Sequence, residues 1–213
     1  MTASRRRRDE AGFTLVELLI SIAIISIITP ALAGVVIAYL KNTTTTQSRL
    51  AESHDVQFAT AYWQRDVASI GVRAFDAPTK SFPLQQSVGI TPACTLPAGT
   101  PVTTLGWTRY DPAVLVSHSP AAAKTVTVSY VSAPKSGGAF TLTRVRCEGG
   151  SITSQVQVAD TLDAAPTVTC STACTGAGGN VPRTVTLNLV VRDVEGGSTT
   201  SYTAALRGDR RQS

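Results

Sequence analysis

Gly12-Phe13-Thr14-Leu15-Val16-Glu17-Leu18-Leu19-Ile20-Ser21 opens a run of 28 residues, Phe13 to Leu40, in which 21 side chains are apolar and only Glu17 is charged. As an unbroken helix at 1.5 Å per residue, the run would span about 42 Å, more than the ~30 Å hydrocarbon core of a bilayer. Four arginines, Arg5 to Arg8, precede it, and Lys41 follows. That asymmetry predicts an N-terminus kept in the cytoplasm and an outer location for everything beyond Leu40. Seven of the ten isoleucines fall between Ile20 and Ile37, so the averages over 213 residues (43% hydrophobic, 15% charged, net charge +5) conceal two different kinds of chain. Low charge with this apolar content excludes a disordered chain and allows a sizeable core.

A secretory signal peptide also starts with a basic segment, and Ala31-Leu32-Ala33-Gly34 is a passable cleavage site for one. Its apolar core, however, runs to only about 7–15 residues. A plain single-pass anchor fits the length but leaves Glu17 without a purpose. An ionisable group inside an apolar span costs about 2.5–3.5 kcal/mol on insertion scales and marks a function or a partner.

The segment Gly12 to Ser21, with the arginines before it, resembles the type IV prepilin signal of pilins and of the pseudopilins of type II secretion and competence systems. The resemblance covers about Arg5 to Leu40. It implies cleavage between Gly12 and Phe13 by a membrane prepilin peptidase, N-methylation of Phe13 by the same enzyme, and an assembly role for Glu17. Its implied partners are other pilin or pseudopilin subunits, the peptidase/N-methyltransferase, membrane lipid and assembly-platform proteins. The physical logic is consistent with it. Glycine lets the chain extend closely into a protease cleft. Cleavage leaves an ammonium on Phe13, one helical turn from Glu17, and a neighbouring subunit's ammonium could satisfy that carboxylate in lipid. A local pairing of Glu17 with its own N-terminus is compatible. Pro30 sits inside the apolar helix, where proline removes a backbone hydrogen bond, and it predicts a kink or a break.

Beyond the apolar run, Leu50, His54, Phe58 and Tyr62 recur every four residues, and Val56, Trp63, Val67 and Ile70 form a second stripe. This helical period predicts one helix from about Thr14 to Ile70, ended by the Gly71–Pro78 region, with Thr43–Thr46 only mildly unfavourable inside it. Strict alternation in Thr125–Val131 and Ala139–Val145 predicts a hairpin across Pro134–Gly138. Ser151–Val158 is a third strand, and Thr184–Val191 with Ser198–Leu206 a second hairpin across Asp193–Gly197. A further strand is placed near Val102–Tyr110. The expected fold is α+β and pilin-like: a long N-terminal helix, transmembrane in its first half and amphipathic in its second, packed on an antiparallel β-sheet. The expected divisions are a leader at 1–12, a transmembrane and assembly helix at 13–40, its amphipathic continuation at 41–75 and a β-rich outer domain at 76–213. A looser likeness adds a subtype. Gln64-Arg65-Asp66-Val67-Ala68-Ser69-Ile70-Gly71, the strand at Leu142-Thr143-Arg144 and the late Ala205-Leu206-Arg207 resemble W-type minor pilins and J-type minor pseudopilins.

Cys94, Cys147, Cys170 and Cys174 all follow the apolar run, in an expected oxidising compartment, and allow three pairings. The preferred set is Cys94–Cys147 with Cys170–Cys174. Half a zinc site at Cys170-x3-Cys174 is the weaker reading, because the two histidines, His54 and His118, are distant in sequence. Asp160 and Asp163 are weak calcium candidates. No nucleotide-binding glycine loop, zinc protease motif or serine elbow occurs, so neither an enzyme nor a cofactor is expected. After loss of the leader the chain carries fifteen basic and twelve acidic residues. Only Arg144 and Arg146 are paired on a strand face, and they read as a solvated strand, so DNA gains no support as a partner. Arg207-Gly208-Asp209 reads as part of a charged, solvated tail. The expected protein is a minor structural subunit of a type IV pilus or of a secretion or competence pseudopilus. A membrane-anchored adhesin or uptake subunit is the alternative.

Overall fold

The computed structural model describes residues 14–110, 123–195 and 198–211. One helix, α1 (Leu15–Ser69), occupies the first third of the chain. Its ends lie within a residue of those the periodicity predicts, six residues short of the expected boundary at 75. Thr43–Thr46 do not interrupt it, and it passes through Pro30 without a break. The chain divides into two compact units between Thr46 and Gln47.

In the first unit, the large apolar side chains from Leu15 to Leu40 are exposed. Its hydroxyls turn inward on the helix instead. Ser21 donates to the Glu17 carbonyl at 2.8 Å, Thr29 to Ile25 at 2.7 Å and Thr43 to Tyr39 at 2.9 Å. Such back-bonding satisfies polar groups where lipid offers no partner.

The second unit holds a seven-stranded sheet formed by β1 (Thr100–Tyr110), β2 (Ala123–Pro134), β3 (Phe140–Glu148), β4 (Ser151–Leu162), β5 (Thr167–Cys170), β6 (Thr184–Glu195) and β7 (Ser198–Asp209). All ladders are antiparallel. Strands β1 to β4 follow chain order. β6 then pairs with the end of β4 at Leu162–Val191, with β5 over Val185–Asn188, and with β7 along its whole length. The fold is therefore α+β, a long N-terminal helix packed on an antiparallel sheet, as the hydrophobic periods predict.

Alternation along the strands sorts the sheet into two faces. Val128 and Tyr130 of β2, with Leu142 of β3, face the helix, whose Ala59, Trp63 and Val67 are buried at spacings of four, with Ile70 buried just past its end. Each buried valine, leucine or isoleucine among them contributes about 1.5–3 kcal/mol through burial. The Trp63 indole also donates to the Val185 carbonyl at 3.0 Å, which fixes the helix against β6. On the opposite face, Val131, Val145 and Cys147 pack against Ala93, Cys94 and Leu96 of the segment preceding β1.

The sheet differs from expectation in several places, and β6 runs on to Glu195, into the turn expected at Asp193–Gly197. β4 extends four residues past Val158, and the short strand β5 has no counterpart in the sequence reading. More consequentially, Arg207-Gly208-Asp209 is the end of β7 and not a solvated tail. Arg207 and Asp209 point outward, but Gly208 is buried against α1. A Cβ placed on Gly208 would meet Val67 Cβ at 2.6 Å. Only glycine lets the strand backbone approach the helix this closely.

Candidate functional site

The first functional region is the start of α1. Thr14 precedes the first helical residue, and Glu17 lies three positions on. The Thr14 amide and hydroxyl donate to Glu17 Oε2 at 3.1 and 3.0 Å, and the Glu17 amide donates to the Thr14 hydroxyl at 3.3 Å. This reciprocal arrangement is a capping box: it satisfies amides that an α-helix start leaves unbonded. Its sequence signal is Thr14-x-x-Glu17 ahead of an apolar run, which the charge of the glutamate masks. Thus Glu17 has a local task, shared with Thr14. Gly12 and Phe13 lie outside the described residues. From Leu15 to Thr43, 29 residues of mean hydropathy 2.5 make α1 long and apolar enough to cross a membrane. Pro30 falls in the middle of this span and has no amide hydrogen, so the Ser26 carbonyl loses its usual donor four residues on.

The second region is polar and lies under the second half of the helix. Asp66 is 2% exposed and Arg144 of β3 only 5%. Arg144 Nε donates to Asp66 Oδ2 at 2.6 Å and Nη2 to Oδ1 at 2.7 Å, while the Tyr130 hydroxyl donates to Oδ2 at 2.8 Å. The Tyr62 ring lies 4.9 Å beneath the guanidinium. This bidentate pair corrects the expectation that Arg144 is solvated. Arg146 does share its face, but that face is turned toward the core; its guanidinium sits over Trp107 and pairs with Glu148 at 3.5 Å. Burial alone would lower the Arg144 pKa, yet the Asp66 carboxylate outweighs it and holds the guanidinium above its ordinary value. Burial first, and then the charge of Asp66, pushes the Tyr130 phenol well above 10.0. The cluster has its donors and acceptors matched, which makes it a clamp between helix and sheet rather than a reactive site. The sequence could not announce it, because the partners are 78 residues apart.

The cysteines form Cys94–Cys147 and Cys170–Cys174 bridges. The first holds the segment before β1 against β3, and the second closes a small loop after β5. Asp160 and Asp163 each have a basic partner, Lys135 at 2.6 Å and Arg192 at 2.8 Å. The hydrogen bond from Lys135 keeps the Asp160 carboxyl below its ordinary pKa. Among the described residues no group of three or more His, Cys, Asp or Glu side chains is placed to hold a metal.

Residues 7–29 match the family model described as the prokaryotic N-terminal methylation motif. No curated protein and no solved structure gives a significant match to the chain. The matched segment contains Gly12, Phe13, Thr14 and Glu17 and runs into the apolar part of α1.

Proposed function

We propose that the chain is a pilin- or pseudopilin-type filament subunit, made as a single-pass membrane precursor and processed at its N-terminus. The observation that carries this reading is the coincidence of the N-terminal methylation motif at 7–29 with the start of a helix able to cross a membrane. In this account prepilin peptidase cuts after Gly12, and Phe13 is methylated. The helix then leaves the bilayer for a filament by packing against the same segment of neighbouring subunits, with lipid and assembly-platform proteins as partners on the way. Its exposed apolar surface, costly in water, is covered first by lipid and then by other subunits.

Glu17 takes part twice. Its Oε2 caps its own helix, and an ionised carboxylate retains acceptor capacity on Oε1 for a neighbour's Phe13 ammonium. Pro30 is the place where the packed helix would kink. The outer unit, stapled by two disulfides, faces the extracytoplasmic side and has a structural role without catalysis. A minor-subunit role of W or J type draws support from the Asp66–Arg144 clamp, because it ties together two of the segments on which that likeness rests.

Processing is the step to test. Replacing Gly12 by valine should leave the precursor uncut in the membrane and absent from sheared filaments. Normal incorporation of Gly12→Val into filaments would overturn the reading.

A further inference from the structure

The edges of the sheet differ in how they are protected. An edge with unpaired amides and carbonyls is a template for another strand, and folded proteins blunt it by covering, shortening, bulging or charging it. β1 is covered: the backbone of Gly71, Ser87, Gly89 and Ile90 bonds that of Thr104, Gly106 and Thr108 at 2.9–3.3 Å. β5 is only four residues long. β4 shifts register where it pairs with Arg146 and Cys147, and Asp55 accepts its Asp160 amide at 3.0 Å.

β7 has none of these devices. Its ladder with β6 runs from Thr184–Asp209 to Glu195–Ser198 without a register shift. From Ser198 to Leu206 it carries no charge, proline or glycine. Two hydrogen bonds just past the strand set the direction of its backbone groups. The Arg210 amide donates to the Arg183 carbonyl at 2.7 Å, next in the β6 ladder, and the Arg211 amide to the Ala68 carbonyl of α1 at 3.4 Å. Antiparallel alternation therefore turns even-numbered backbone groups toward β6 and odd-numbered ones away from it. Ser201, Thr203, Ala205 and Arg207 each point an amide and a carbonyl off the end of the sheet. Among the described residues none of these groups has a hydrogen-bond partner. The four side chains are exposed, and the first three are short and uncharged.

We propose that the outer edge of β7 accepts an extended, uncharged segment of a different protein, which adds to the sheet as a further strand. Main-chain hydrogen bonds hold such a segment, and alternate side chains select it. The lack of charge from Ser198 to Leu206 sets its chemistry, because a lysine or glutamate in the added strand would find no counter-charge there. A second copy of this chain fits less well. Two identical edges with their faces aligned pair antiparallel, which points the two units in opposite directions, whereas subunits related by helical symmetry share a direction. That choice of occupant rests on the filament reading; the open edge does not.

The test uses the full-length protein in detergent micelles and a short end-capped peptide of alternating threonine and valine. The same peptide N-methylated at every amide keeps the side chains and loses the donors. The expected result is saturable binding of the first peptide that slows hydrogen exchange of the Ser201, Thr203, Ala205 and Arg207 amides about tenfold or more, with no such effect of the second. Thr203→Pro removes one outward amide hydrogen without breaking a bond to β6, so the protein should fold and bind the peptide about tenfold more weakly. Should Thr203→Pro fail to fold, the comparison of the two peptides on the wild type decides. No slowing at these four amides, an equal effect of the methylated peptide, or unchanged affinity in folded Thr203→Pro would overturn the proposal. Light scattering without peptide covers the remaining occupant: a dimer that Thr203→Pro dissolves would name a second copy and overturn the assignment to a different protein.

Discussion

Glu17 and Asp66 are the two carboxylates that matter most, and they matter for opposite reasons. Glu17 lies at the start of an apolar helix and completes a capping box with Thr14. Cap and charge can be separated by substitution. Thr14→Ala should weaken the helix start by about 0.5–2 kcal/mol yet leave filament incorporation largely intact. Glu17→Gln keeps an oxygen for the cap but removes the charge, so the amount recovered in sheared filaments should fall well below that of Thr14→Ala. Equal recovery would rule out pairing of Glu17 with a neighbour's ammonium. Asp66, by contrast, is sequestered with Arg144 and Tyr130, and its role is to hold helix to sheet. The Tyr130 phenol, pushed above 10.0 by burial and by Asp66, stays protonated in the fold where an unfolded chain would lose its proton. The unfolded state then binds fewer protons, so stability should hold below about pH 10 and decline above it. Urea unfolding over that range should show a shallower alkaline decline for Tyr130→Phe than for the wild type; parallel curves would contradict the assignment.

At the scale of elements, α1 and β7 illustrate what the sequence could and could not disclose. The helix was legible because its apolar positions recur with helical spacing, and the hairpins because alternation persisted over six or more residues between turn signals. β5 was not: four residues, Thr167–Cys170, are too few to establish a period. The end of β7 was missed because arginine and aspartate dominate its composition, whereas the fold uses the glycine between them. Arg144 was misread for a related reason, since a cation on a strand reads as solvated until its distant partner is known. A single backbone approach, Gly208 on Val67, tests this correction. Gly208→Val should destabilise the second unit by about 1–3 kcal/mol through overpacking, seen as a lowered Tm. An unchanged Tm would mean that β7 ends before Arg207.

The whole molecule joins a helix that needs lipid or neighbours to a sheet unit with its own core, and the two disulfides belong to the latter. In the chain-entropy picture, a bridge across 53 residues contributes about 4 kcal/mol and one across 4 residues about 2. Replacing Cys94 and Cys147 by alanine should therefore lower the unfolding free energy more than replacing Cys170 and Cys174, as chemical denaturation would report. The reverse order would show that the small loop is the greater restraint. Central to the account is the claim that residues 1–12 are a discarded leader and Phe13 the working N-terminus. Mass spectrometry of the protein extracted from membranes of cells with active prepilin peptidase measures this directly. The account predicts a chain of 201 residues (213 − 12) beginning with N-methylated Phe13. A chain that retains residues 1–12, or one that begins near Gly34, would contradict it.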